Sequence, residues 1–163
     1  DLGNLILRIL TLIERDFNSE IPKLYELSEE DKLFINKFNF LEELTNFFNK
    51  FQINRALDRI WEFVKLTNKY INIRAPWVLK KNEEMEEYST VLYILIESLR
   101  VMAIYLEPFI PSVSRRILEL IGEKELLNFT DIEFKYNQKR KIGKKEVLFP
   151  KIFLRNSKQK EEK

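Results

Sequence analysis

The stretch Leu2-Gly3-Asn4-Leu5-Ile6-Leu7-Arg8-Ile9-Leu10-Thr11-Leu12-Ile13-Glu14-Arg15-Asp16 sets the fold class. Leu2, Leu5, Ile6, Ile9, Leu10 and Ile13 recur at spacings of three and four, the period of a helix with one apolar face. Asn4, Arg8, Thr11 and Arg15 make a polar stripe at the same spacing. Asn18-Ser19 and Pro22 then mark a loop. Ser28-Glu29-Glu30-Asp31 is a helix start, with Ser28 as cap and carboxylates in the first turn. The pattern predicts a second helix to about Lys50, with Leu33, Phe34, Phe38, Leu41, Leu44 and Phe48 facing inward. A third covers about Ile53 to Ile71, burying Ile53, Ala56, Leu57, Ile60, Trp61, Val64 and Ile71. Ala75-Pro76-Trp77 closes it, because proline disfavours helix in the residue before it. A fourth covers about Glu83 to Leu106, with Val91, Leu92, Leu95, Leu99, Met102 and Leu106 as core. A fifth starts near Pro111 and ends at a Gly122 cap.

The reading is an all-α antiparallel bundle of about five helices over residues 1–122, followed by an extended basic tail. Composition agrees. The 163 residues are 45% apolar, enough for one core, and hold only 3 glycines and 5 prolines, too few for a many-stranded fold. Residues 123–155 read as an extended peptide, with Pro150 incompatible with a helix interior or a central strand. Residues 156–163 read as a disordered end.

The chain contains neither cysteine nor histidine. That excludes disulfides, thiolate or imidazole metal sites, thiol nucleophiles and any triad that needs histidine. Gly3, Gly122 and Gly143 are too far apart for a phosphate loop. The sequence therefore points away from a self-contained enzyme, and no metal or cofactor is expected on this chain. No apolar run reads as a membrane span and no signal peptide is apparent, so a cytoplasmic location is expected. The apolar rhythm begins at once after Asp1 with no initiator methionine, as in a piece of a longer chain.

Charge is uneven. Residues 1–134 carry 17 basic and 23 acidic side chains, whereas residues 135–163 carry 11 and 3. A basic end on an acidic body suits phosphate, a membrane surface or an acidic partner, and equally suits a solvated end that keeps the protein soluble.

Four segments together resemble the anticodon-binding domain of the methionyl-tRNA synthetase family of class I aminoacyl-tRNA synthetases. The first is Asp1 to Arg8, with Asn and Arg four apart. The second is Ala56-Leu57-Asp58-Arg59-Ile60-Trp61 followed by Asn68-Lys69-Tyr70-Ile71 and Ala75-Pro76-Trp77. The third is Val91-Leu92-Tyr93, Glu97-Ser98-Leu99-Arg100 and Leu106-Glu107-Pro108-Phe109-Ile110-Pro111. The fourth is Gly143 to Ile152, where Lys145 and Val147 replace two prolines of the family's pattern. Residues 29–50 carry no matching signature.

The resemblance implies that Trp77 stacks on the first anticodon base, the cytosine of CAU in tRNA(Met), and that Asn4 and Arg8 read it. Arg15, Asn68 and Arg74 are secondary RNA candidates. Alone, Trp77 equally reads as a plug for the bundle end, Arg8 as a solvated or ion-paired side chain, and Arg74 as a surface charge. The full-length enzyme would be an AMP-forming ligase using ATP and Mg2+ to attach methionine. Its ATP-binding signatures, of the His-x-Gly-His and Lys-Met-Ser-Lys-Ser types, are absent here. The chain alone is therefore expected to be inactive and monomeric, with the tail packing on the bundle or on the catalytic domain. Two other readings remain open: the corresponding domain of a ligase for isoleucine, valine, leucine or cysteine, and a non-catalytic helical protein-interaction module.

Overall fold

A computed structural model describes residues 2–125, 127–146 and 148–149. Seven α-helices occur among them: α1 (Leu2–Phe17), α2 (Glu29–Ile35), α3 (Leu41–Asn49), α4 (Ile53–Arg74), α5 (Pro76–Lys81), α6 (Met85–Leu106) and α7 (Pro111–Leu120). One 3-10 turn spans Phe129–Asp131. The expected disordered end, residues 156–163, lies outside the described residues, as does the stretch from Pro150 to Arg155.

The bundle is built around α6. Every residue from Tyr88 to Leu106 is buried, and α1, α2, α4, α5 and α7 pack against it. A helix that is apolar all round belongs inside other helices. Its length and hydropathy match a membrane span, although the sequence reading saw none there, and its apolar window is wholly enclosed by this chain's own helices. The core face expected for α1 is buried as read, from Leu2 to Ile13.

The second expected helix is two helices. Between α2 and α3 the backbone turns at Asn36–Phe40, and the Tyr105 hydroxyl from α6 holds the break open. It accepts from the Phe40 N–H at 3.1 Å and donates to the Phe38 carbonyl at 3.2 Å. Phe38 and Phe40 are buried on either side of it. A ring stack between Phe40 and Tyr105 at 4.0 Å adds to the same anchor. Two buried backbone groups satisfied by one side chain replace the helical bonds lost there. The turn also changes which side of α2 meets the core, so Leu33 is 63% exposed rather than inward.

On α4 the buried positions are Ala56, Ile60, Phe63, Val64, Thr67, Tyr70 and Ile71. Phe63 anchors this face through ring contacts with Phe34, Phe38 and Phe40. The face is therefore rotated from the expected one, and Ile53, Leu57 and Trp61 are exposed, contrary to the reading of all three as core.

Ala75 sits in the left-handed region at φ 39°, ending α4 and starting α5 in one residue. Pro76 occupies the first turn of α5, where its missing N–H costs nothing. This sharp joint, legible as the Ala-Pro-Trp segment, turns a single expected stop into an extra short helix.

Past α7 the chain turns at Gly122, φ +77°, where a Cβ would lie 2.0 Å from the Lys141 carbonyl oxygen. The returning strand of chain, residues 132–146, lies on the bundle. Ile21 N–H donates to Arg140 O at 2.9 Å, Ile142 N–H to Ser19 O at 2.8 Å, and Gly143 N–H to Leu120 O at 2.9 Å. Its deepest anchor is a buried charge network. Glu97 pairs with Arg100 at 2.8 Å and Arg140 at 3.3 Å, and accepts from the Lys135 N–H at 3.1 Å. Arg100 donates to the carbonyls of Asp131 and Glu133. The Tyr93 hydroxyl donates to the Lys135 carbonyl at 2.6 Å, and burial pushes its pKa up to about 12.

Candidate nucleic-acid interface

α1 and the α4–α5 joint meet at one corner of the bundle. Arg8 projects from the middle of α1. Its guanidinium carbon lies 5.7 Å from the centroid of the Trp77 ring, within the range of a cation–π contact. Arg8 Nη2 also donates to Asn72 Oδ1 on α4 at 3.4 Å. Arg8 Nε is buried with no hydrogen-bond partner among the described residues. Asn4 is exposed one turn before Arg8 on the same face of α1.

Trp77 is 45% exposed. It follows Pro76, which is buried, and precedes Leu79, which is also buried. The two residues pin α5 to the bundle while Trp77 stays outside. Val78 and Ile73 are exposed beside it in sequence. Lys80 and Asp16 form an ion pair that ties the end of α5 to the end of α1, and the Tyr88 hydroxyl donates to Asp16 at 2.6 Å. The platform is thus carried by a short helix clamped at both ends.

The other candidates are elsewhere engaged. Arg15 makes a two-point contact with Asp16, at 2.9 and 2.7 Å. That contact comes first among the causes holding the Asp16 carboxyl well below the usual carboxylate range, with Lys80 and Tyr88 adding to it against burial. Asn68 spends its amide on the Val64 carbonyl at 2.9 Å. Arg74 lies between three carboxylates, at 3.3 Å from Glu30, 3.2 Å from Asp31 and 2.5 Å from Glu87. Asp31 is itself buried and accepts from the Tyr70 hydroxyl at 2.6 Å. Arg74 is therefore a bundle tie, with its guanidinium turned into the fold rather than towards a phosphate.

The structure thus brings Arg8 and Trp77 together, with Asn4 one turn away, and gives Arg15, Asn68 and Arg74 partners within the fold. It adds Asn72, which sequence reading passed over. Nothing in the local pattern marks Asn72; only the packing of α1 against α4 reveals that it holds Arg8. Chemically, the corner offers a half-exposed indole, an adjacent guanidinium and the side-chain amides of Asn4 and Asn72. Such a set suits a planar heteroaromatic ring with acceptors on its edge. Among the described residues no group of three carboxylates converges on a metal-sized site.

A family model for the anticodon-binding domain of tRNA ligases matches residues 31–162. The methionine–tRNA ligase of Caldanaerobacter subterraneus subsp. tengcongensis is 36% identical over 156 residues, covering 93% of this chain and 24% of that protein. The methionine–tRNA ligase of Clostridium acetobutylicum is 37% identical over 159 residues, with coverage of 93% and 24%. This chain thus spans about a quarter of the length of the curated relatives it matches. Among solved structures, Mycobacterium tuberculosis methionyl-tRNA synthetase in complex with methionyl-adenylate superposes with a TM-score of 0.86 at 25% identity, covering 92% of this chain and 30% of that one. The free-state structure of the Mycobacterium tuberculosis enzyme gives 0.87 at 24% identity, covering 94% and 32%.

Proposed function

Because the chain belongs to the family of anticodon-binding domains of tRNA ligases, we propose that it is the anticodon-reading domain of a methionine–tRNA ligase and that it selects the CAU anticodon of tRNA(Met). The observation that carries the reading is the half-exposed Trp77 ring with Arg8 5.7 Å from its centroid. Loop bases are the readable part of a tRNA, because they unstack and present their pairing edges.

The first anticodon base, cytosine, stacks on Trp77, a contact worth about 1–3 kcal/mol. Its O2 and N3 accept hydrogen bonds from Arg8. Asn4 supplies an amide at the same edge. Asn72 orients the guanidinium through one long hydrogen bond at 3.4 Å, leaving its other N–H groups for the base. Uracil carries a donor at N3 in place of an acceptor. Facing Arg8 it leaves two donors opposed, and an unpaired buried polar group costs about 1–3 kcal/mol.

In the complete enzyme this domain would hold the anticodon loop while a catalytic domain, with ATP and Mg2+, would join the methionine carboxylate to the α-phosphate with release of pyrophosphate and then pass the methionyl group to a tRNA hydroxyl with release of AMP. The enzyme would act in the cytoplasm. The domain by itself is a monomer without aminoacylation activity. The experiment is a titration of the chain with anticodon stem-loops carrying CAU or GAU at one fixed low salt concentration. Preference for CAU is expected. Preference for GAU would move the domain to a different class I ligase, and equal weak binding would leave a helical scaffold without anticodon reading.

A further inference from the structure

The run Lys135-Tyr136-Asn137-Gln138-Lys139-Arg140-Lys141 holds four cations and no carboxylate, and anticodon reading at the Trp77 corner uses none of them. A solvated end needs no fixed path, yet this run has one. The Tyr93 hydroxyl donates to the Lys135 carbonyl at 2.6 Å and accepts from the Gln138 N–H at 3.0 Å. The Arg140 carbonyl accepts from the Ile21 N–H at 2.9 Å. The Arg140 guanidinium pairs with Glu97 at 3.3 Å and Glu123 at 3.5 Å. The buried Arg140 side chain thus fixes the backbone that carries its two lysine neighbours.

Between this run and the loop after α1 lies a groove of about 710 Å3, bordered by Glu20, Lys23, Lys139, Arg140 and Lys141. Glu20, the one carboxylate among the described residues that line it, pairs with Lys141 at 3.4 Å, and the two side chains are 64% and 66% exposed. Lys23 and Lys139 are exposed and form no ion pair among the described residues. Lys23 Nζ lies 4.8 Å from the centroid of the Tyr25 ring. With Arg140 answered by Glu97 and Glu123, three lysines face one carboxylate. A second groove that Lys139 and Lys141 also border carries Glu119, Glu123 and Glu125, so an anion is drawn to the Lys23 side of the run.

The family supplies the polyanion. A domain that binds tRNA meets a phosphate backbone, yet residues 1–134 hold 17 basic against 23 acidic side chains and repel one on average. Affinity for a backbone therefore rests on places where cations gather on fixed main chain. From Arg8 to the end of α1 at Phe17 the helix runs about 14 Å. A groove beyond that end meets a different part of the tRNA from the base on Trp77. We propose that the groove between residues 20–23 and 137–141 holds the phosphate backbone of the tRNA, with Lys23, Lys139 and Lys141 as contacts that carry no sequence information. The proposal rests on the reading of the chain as a tRNA-binding domain and is independent of which anticodon it reads.

The test is a titration of the chain with tRNA(Met) transcripts carrying CAU or GAU anticodons over a range of salt concentrations. Lys23→Ala with Lys139→Ala should weaken both transcripts alike, by about tenfold at low salt, and make the slope of log affinity against log salt shallower by about 1.4–1.8, the share of two phosphate contacts. Lys23→Arg with Lys139→Arg should restore both quantities, and thermal melts should coincide for all three proteins. Glu20→Gln, which removes the groove's carboxylate, should tighten binding by about twofold or more. An affinity and slope unchanged by the alanine pair overturn the proposal, as does the absence of any tRNA binding at low salt. A changed CAU-to-GAU ratio in the alanine pair also overturns it, by placing the lysines in base reading. So does loss of polyglutamate binding with tRNA binding intact, which would make the groove a seat for an acidic protein. Equal binding of CAU and GAU transcripts by the unaltered chain, still steep in salt and dependent on the lysines, would refute anticodon reading and leave the backbone groove standing.

Discussion

Arg8 lies against the Trp77 ring and Arg74 three residues before Trp77 in sequence, yet their neighbours are opposite in kind. Arg74 is enclosed by Glu30, Asp31 and Glu87. Burial works to lower its pKa, and the surrounding carboxylates, Asp31 foremost, raise it overall. Arg8 meets an amide and an indole face instead. A guanidinium among carboxylates has its donors and its charge spent within the fold. One against an aromatic ring keeps donors for a visitor. What separates the two arginines is the identity of their neighbours, carboxylates brought from α2 and α6 in one case and an amide and an indole in the other, not the arginine or its place in a helix.

That contrast can be broken or sharpened by substitution. The largest effect is expected in the most enclosed network, the structural extreme of the comparison. Glu97→Ala leaves the buried Arg100 charge with no carboxylate, held only by the Asp131 and Glu133 carbonyls, frees the Lys135 N–H and removes one of the two carboxylates of Arg140. Removing one partner of a buried pair costs about 3–5 kcal/mol, and chemical denaturation should show it. Next comes Arg74→Ala, expected to cost about 1.5–3 kcal/mol of stability because Asp31 loses a charged partner. Stem-loop affinity at a temperature where the variant is still folded should be unchanged. A specific loss of CAU binding with normal stability would return Arg74 to the interface.

Arg8→Ala should behave in reverse. It is expected to lower CAU affinity by about tenfold while altering stability by less than about 1 kcal/mol, since the cation–π contact is exposed and the bond to Asn72 is long. Calorimetric titration beside a thermal melt reads both. The smallest effect concerns pH. The Asp16 carboxyl is held below its ordinary value of 3.8 in the folded state, first by Arg15. Its contribution is complete above the unfolded value and is lost as pH falls through the folded one. The stability gap between the protein and Asp16→Asn should thus be constant from neutral pH down to about 5 and close progressively below 4. A gap that widens on acidification would contradict the Arg15–Asp16–Lys80 cluster.

The parts legible in the sequence were those governed by local rules. The α1 stripe, the Ser28 cap, to which the structure adds a reciprocal Asp31 bond, the proline joint at Pro76 and the glycine end of α7 all follow from spacing and backbone chemistry. The break between α2 and α3 was not legible, because it depends on Tyr105, a residue sixty-five positions away from Phe40 that lends its hydroxyl to the turn. The exposure of Trp61 was missed for a related reason. Periodicity gives a helix an apolar side, but several apolar residues in excess, here Phe63 together with Ile53, Leu57 and Trp61, leave the true core direction to tertiary packing. At the candidate site, Asn4, Arg8 and Trp77 were named through resemblance, whereas Asn72 and the diversion of Arg74 into carboxylates needed three-dimensional neighbours.

The account stands most directly on one comparison: the ratio of CAU to GAU stem-loop affinity for the unaltered chain and for Trp77→Ala, with thermal melts on the same samples. It predicts a clear CAU preference in the first, loss of that preference in the second, and closely similar melting curves. Equal binding of the two loops by both proteins, with Trp77→Ala lowering only the melting temperature, would make Trp77 a plug at the end of the bundle and contradict it.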